Sequence, residues 1–302
     1  MFKKFLSGVL AAAMVAGGAS YMNTATADAA APKPDFYFNM DKANKNVVAV
    51  ARKGDTTNFT AGNMDTGVMP EAANAKKVKL KYEKGKKGKA LHLDRKSSYG
   101  AELKKVKVGS GSWTVSFWVK PESALSDAMP IFFTGSKITD PKNTKWISIT
   151  SHSDWDLGGN PVIWSHSTTN GAKDEFPWYG YNSGEEGLWE KKEAIPTNQW
   201  THITMIVDAS DTCEYGAEGD DGYVKALHGW TFVNGKLHGN GTIAHNTMSN
   251  SNRFFLGINC WDTPFKGWID DVKIWKKAIV TSKSIGKKNG LKNAEKVIKS
   301  IM

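Results

Sequence analysis

Over most of the chain, apolar and polar residues alternate in short runs bounded by Gly, Asn and Pro. Residues 113–121 read Trp-Thr-Val-Ser-Phe-Trp-Val-Lys-Pro, and 146–150 read Trp-Ile-Ser-Ile-Thr. A period of two puts one side of a strand into a core and leaves the other side mixed. Further runs of the same kind occur at 162–164, 200–208, 230–233, 254–258 and 267–275. Asn234-Gly235 separates the 230–233 run from Lys236-Leu237-His238. Both turn residues tolerate positive φ, so this is a strong hairpin signal. Beyond Thr281 the period changes, and Leu291, Ala294, Ile298 and Ile301 recur at helix spacing. The pattern predicts an all-β fold, a two-sheet antiparallel jelly-roll sandwich with a short C-terminal helix. No internal repeat or composition break divides 30–280, which reads as one domain followed by a helical tail at 281–302.

The N-terminus follows a different rule. Lys3 and Lys4 precede an apolar or small-residue run over 5–16, and Ala25, Ala27 and Ala29 offer A-x-A cleavage sites. That order of charge, apolar run and small residues predicts a secretory signal peptide over 1–29, hence a secreted, extracellular or cell-surface chain. No later stretch is apolar enough to predict a membrane span. Export would meet an oxidising milieu, where Cys213 and Cys260 could pair or stay as thiols; both outcomes are open from sequence. Two cysteines exclude a disulfide scaffold and an all-cysteine zinc site.

The 302 residues carry a formal net charge of +10. Residues 76–107 hold 13 Lys/Arg against Glu83, Asp94 and Glu102. A solvated surface is the default reading of such a run, with an anionic glycan as the partner it would otherwise fit. Nucleic acid is not expected, since no nucleic-acid-binding motif accompanies the charge. Residues 208–221 read as an acidic loop, solvated by default.

Three ordered segments resemble the laminin-G-like, concanavalin A-like lectin/glucanase jelly roll of secreted bacterial proteins. They are Gly85-Lys86-Lys87-Gly88-Lys89-Ala90-Leu91-His92-Leu93-Asp94 with 113–121, then 200–208 with Phe232-Val233-Asn234-Gly235-Lys236, then 254–258 with 265–275. The resemblance implies the sandwich over 30–280 and a structural Ca²⁺ between first and last strands. Asp270 matches the last-strand position, and Asn39 with Asp41 lies in the matching opening segment 36–41. Asn39 stands where an Asp is more usual, which removes a charge that a hard cation favours. Strict alternation over 269–275 would place Ile269, Asp271, Lys273 and Trp275 on one face, with Asp270, Val272 and Ile274 on the other.

The fold hosts lectins and enzymes alike, so chemistry has to be read from residues. The Glu-x-Asp-x-x-Glu string of retaining glycosidases on this fold does not occur, nor does a Gly-x-Ser-x-Gly elbow, a His-Glu-x-x-His or a Walker A motif. An aromatic-rich connection over 151–189 is present, mixed with Asp, Asn and His. Flat rings stack on the C–H faces of sugars while amides and carboxylates bond the hydroxyls. Trp155, Asp156, Trp178 and Tyr179, with Asn259, Trp261 and Asp262 after the 254–258 strand, are the expected carbohydrate-binding residues. The expectation is therefore a non-catalytic, lectin-like domain engaging extracellular or cell-wall polysaccharide. A polysaccharide hydrolase or lyase, and a surface adhesion protein with a protein partner, are the alternatives.

Overall fold

A computed structural model describes residues 31–53, 68–94, 99–123, 129–136, 145–152, 160–167, 195–215 and 224–302. Among the described residues, fourteen strands and two short α-helices follow one another. The strands are β1 (Phe36–Phe38), β2 (Val47–Ala51), β3 (Lys81–Lys84), β4 (Lys89–Leu93), β5 (Tyr99–Leu103), β6 (Trp113–Pro121) and β7 (Met129–Gly135). They continue with β8 (Trp146–His152), β9 (Asn160–His166), β10 (Thr201–Tyr215), β11 (Val224–Val233), β12 (Lys236–Ile243), β13 (Arg253–Leu256) and β14 (Gly267–Trp275). The helices are α1 (Ser282–Ile285) and α2 (Gly290–Ser300).

All pairings are antiparallel and make two sheets. Sheet A runs β12-β11-β10-β6-β14-β4-β3, with β1 also on β14; sheet B runs β2-β5-β13-β7-β8-β9. Inward side chains of the two sheets meet in one core. Val115, Phe117 and Val119 of β6, with Ile203 and Met205 of β10, face Phe132, Ile147, Ile149 and Phe254 across it. Each fully buried aliphatic or aromatic side chain contributes roughly 1.5–3 kcal/mol of transfer free energy. The predicted hairpin forms as expected: Asn234 (φ 50) and Gly235 (φ 76) both adopt positive φ.

Three expectations change, and the state of the two cysteines, open from sequence, is decided. β14 is not a regular strand, because the register on β6 slips by one residue between Asp270 and Lys273. Asp271, at φ 54, takes up the extra residue as a β-bulge. Ile269, Val272 and Ile274 therefore all reach the core, which strict alternation forbids. The acidic loop expected from Asp208 onward is strand as far as Tyr215, and Asp208 is buried. Cys213 and Cys260 are both free thiols. α2 buries Gly290, Ala294 and Ile298, spaced by four, and leaves Leu291 39% exposed. Gly290 abuts the carbonyls of Ser284 and Ile285, which turns Leu291 away from the sheet.

The helical tail is a lid on the outer face of sheet A. Ile206, Trp230 and Phe232 pack there against Val280, Ala294 and Ile298. Thr281 caps α1 by a reciprocal bond pattern with Ser284. Ser282 at the start of α1 donates its N–H to Asp208 (2.8 Å) and accepts the indole N–H of Trp230 (3.0 Å).

Candidate glycan-binding face and cation position

The outer face of sheet B carries a second cluster, made of Val50, Met69, Phe133, Trp146, Phe255, Ile258 and Cys260. Trp164 and Trp261 pack on it and remain half-buried. The strand period explains the set. Ile147 and Ile149 point into the core, so Trp146 and Ser148 point out, and Ser148 pairs with Phe133 on one side and Trp164 on the other. The hydroxyls of Ser148 and Thr150 are buried and have no hydrogen-bond partner among the described residues. At one border, Arg253 holds Glu102 through two bonds (2.9 and 2.7 Å) and Glu71 through a third (2.6 Å). Burial opposes this arrangement, yet the Arg253 and Lys104 bonds keep Glu102 below the usual carboxylate range.

A turn after β13 folds back over this face. Gly257 (φ 71) opens it, at a point where a Cβ would lie 2.2 Å from Leu93. Asn259 then acts as a clamp. Its Oδ1 accepts the backbone N–H of Trp261 (3.1 Å) and Asp262 (2.8 Å), and its Nδ2 donates to Asp262 (2.5 Å). The clamp sets the Trp261 ring edge-on to Trp146 at 5.0 Å and to Phe133 at 5.9 Å. Burial pushes the Asp262 carboxyl up to about 7, against the opposing pull of Asn259 and Arg52.

Of the expected sugar-contacting residues, the structure brings Asn259, Trp261 and Asp262 together. Only Trp261 is turned toward solvent; Asn259 (0% exposed) and Asp262 (4%) spend their polar groups on each other and on the turn. Trp155, Asp156, Trp178 and Tyr179 lie outside the described residues. Trp146 and Trp164 were not singled out from sequence. The signal for Trp146 was the contrast between the Trp-Ser-Thr face and the Ile-Ile face of β8, and Trp164 lies opposite Ser148 of that face on β9.

The expected cation residues flank the 85–88 turn between β3 and β4. The Asp270 Oδ2 accepts the backbone N–H of Lys86 (2.9 Å) and Lys87 (3.3 Å). Asp41 Oδ1 accepts that of Lys89 (2.9 Å), and Asn39 donates to Asp41 Oδ2 (2.8 Å). Gly85 and Gly88 are required, since a Cβ there would strike the carboxylates of Asp270 and Asp41 respectively. Burial raises the Asp270 carboxyl to about 6. Its Oδ1 is buried without a partner among the described residues, the one oxygen of this pair left open to a cation. No cluster of three His, Cys, Asp or Glu suited to a metal occurs among the described residues. Ligands beyond these side chains would have to be carbonyls and water.

Comparison with known proteins follows the same lines. Residues 95–283 match the family profile of the laminin-G-like group in the concanavalin A-like lectin/glucanases superfamily. Domain 4 of AbnA, an extracellular GH43 arabinanase of Geobacillus stearothermophilus solved with arabinotriose, is 24% identical with a TM-score of 0.53, covering 89% of this chain and 98% of that one. The CBM40 of a Ruminococcus gnavus sialidase, bound to sialyllactose, is 12% identical with a TM-score of 0.43, covering 63% and 90%. No curated protein sequence matches. With more than half its length matched by one family and both sheets in place, the chain belongs to the concanavalin A-like lectin/glucanases superfamily.

Proposed function

We propose that this is a secreted, non-catalytic glycan-binding domain that holds extracellular or cell-wall polysaccharide on the outer face of sheet B. The observation that carries the reading is an aromatic wall, the pair of half-buried indoles, Trp164 and Trp261, packed on the outer face of sheet B over the buried Trp146. Indole faces left half-open take the C–H surface of a sugar. Trp155, Asp156, Trp178 and Tyr179 belong to connections leaving β8 and β9, the strands of this wall, and are proposed to complete it. The AbnA domain solved with arabinotriose supports an arabinan-type chain as the first ligand to try.

Among the described residues, the state of the carboxylates favours binding without cleavage. Hydrolysis needs two carboxyl groups poised across the scissile bond. Here Glu102 and Glu71 are both bound by Arg253, and Asp262 is buried in the turn. We also propose that Ca²⁺ is held at Asp270 Oδ1 with Asp41 and Asn39, where it would tie β1 to β14 and the 85–88 turn. Its chemistry there would be structural, neutralising a buried carboxylate.

The test is a glycan panel with arabino-oligosaccharides, run with and without chelator. Retention without new reducing ends or unsaturated products supports the proposal. Product formation would replace it with an enzyme, and a captured protein with no glycan bound would replace it with an adhesion module. A melting temperature unmoved by chelator would remove the calcium reading alone.

A further inference from the structure

Two lysine-rich segments, one before and within the β3–β4 hairpin and one along the helical tail, carry side-chain charge that the aromatic wall does not use. Residues 76–89 contain eight lysines and one acid, Glu83; residues 276–302 contain eight lysines and one acid, Glu295. All sixteen lysines are exposed. Both acids are already engaged. Glu83 accepts the indole N–H of Trp268 (3.2 Å) and lies 3.1 Å from His92, and Glu295 pairs with Lys236 (2.6 Å).

The fold joins these two distant segments. The 85–88 turn meets the end of α2, where Lys87 Nζ donates to the Met302 carbonyl (2.8 Å) and Lys273 Nζ to the Ile301 carbonyl (2.6 Å). Lys84 and Lys89 sit directly opposite each other across the β3–β4 hairpin. Like charges so placed are destabilising unless an anion lies between or above them.

We infer that the β3–β4 hairpin and the α1–α2 cap together form a docking surface for a linear acidic polysaccharide. The charges are many and spread over two segments, so a polymer that touches many at once fits where a small anion does not. All sixteen are lysines, point charges without the planar fork that reads base edges, which disfavours nucleic acid. α2 already buries Gly290, Ala294 and Ile298 against the protein, so it offers a bilayer only Leu291. None of these lysines belongs to the aromatic wall. The inference stands whether or not that wall binds sugar.

The experiment measures binding of polygalacturonate to the full chain over a salt series. Wild type should bind, with affinity falling steeply as salt rises. Reversing Lys288→Glu, Lys292→Glu and Lys296→Glu together, or Lys79→Glu with Lys84→Glu, should each cost about tenfold or more at low salt, with no change in melting temperature. Absence of binding at low salt, affinity indifferent to salt, or affinity indifferent to both reversals overturns the inference. Tighter binding to vesicles rich in anionic lipid, or to a DNA duplex, also overturns it. Should a reversed variant fail to fold, the wild-type salt series and the other variant still decide.

Discussion

The outer faces of the two sheets start from similar material and end differently. Each carries tryptophan and phenylalanine beside Ser and Thr. On sheet A, the helical tail seals Ile206 and Phe232 completely and leaves Trp230 only 8% exposed. On sheet B, the Gly257–Asp262 turn covers Phe133 and Phe255 but leaves Trp164 and Trp261 half-open. Aromatic content does not separate a core from a site; what the next element in the chain covers does.

The comparison can be broken by substitution. Phe232→Ala should cost about 3–5 kcal/mol in denaturant unfolding, by loss of burial plus a cavity. Glycan affinity of the fraction that remains folded should not change. Equal loss of both would mean that the two faces are coupled.

The faces should also respond oppositely to pH. Burial lowers the His202 imidazole to about 3, so the unfolded chain takes up a proton that the folded chain refuses as pH falls below about 6.5. Stability at sheet A is then present above that value and is lost toward pH 3. Asp262 is raised to about 7, so the folded chain keeps a proton that the unfolded chain has released. Its contribution is present below about pH 4 and is lost as pH rises through 7. Each effect is on the order of a few kcal/mol. Thermal melts across pH should show Asp262→Asn flattening the neutral limb and His202→Gln the acid limb. Unchanged profiles would mean that neither group keeps its proton state in the fold.

Asn259→Ala sharpens the difference further. It removes the clamp and leaves Asp262 without its partner, for a loss of about 2 kcal/mol. It should also weaken glycan binding through Trp261, which it positions but does not replace. Trp164→Ala should do the reverse, with affinity reduced about tenfold and stability nearly kept, since its ring is only half-buried. Calorimetric titration beside a denaturant melt separates the two patterns.

Local rules carried a large part of the fold. The β6 run, the Asn234-Gly235 hairpin and the late helix each depend on neighbours a few residues apart, so period and turn chemistry suffice to foresee them. The bulge at Asp271 escaped because it answers to β6 and to the junction of β1 and β4 along β14, none of them close in sequence. The tight Asn259–Asp262 set was visible as polar residues near a tryptophan, and the same spacing serves a ligand site and an internal clamp equally.

Alternation, Asn-Gly and the helix-spaced apolar residues were enough for a two-sheet sandwich with a tail, because those preferences act within one strand or one turn. Burial belongs to another order of information. Whether Trp261 faces water while Asn259 does not, and whether lysines 200 residues apart share a surface, depends on strands brought together from distant parts of the chain. Solvent exclusion and charge act through space, and only the packed tertiary structure sets those distances.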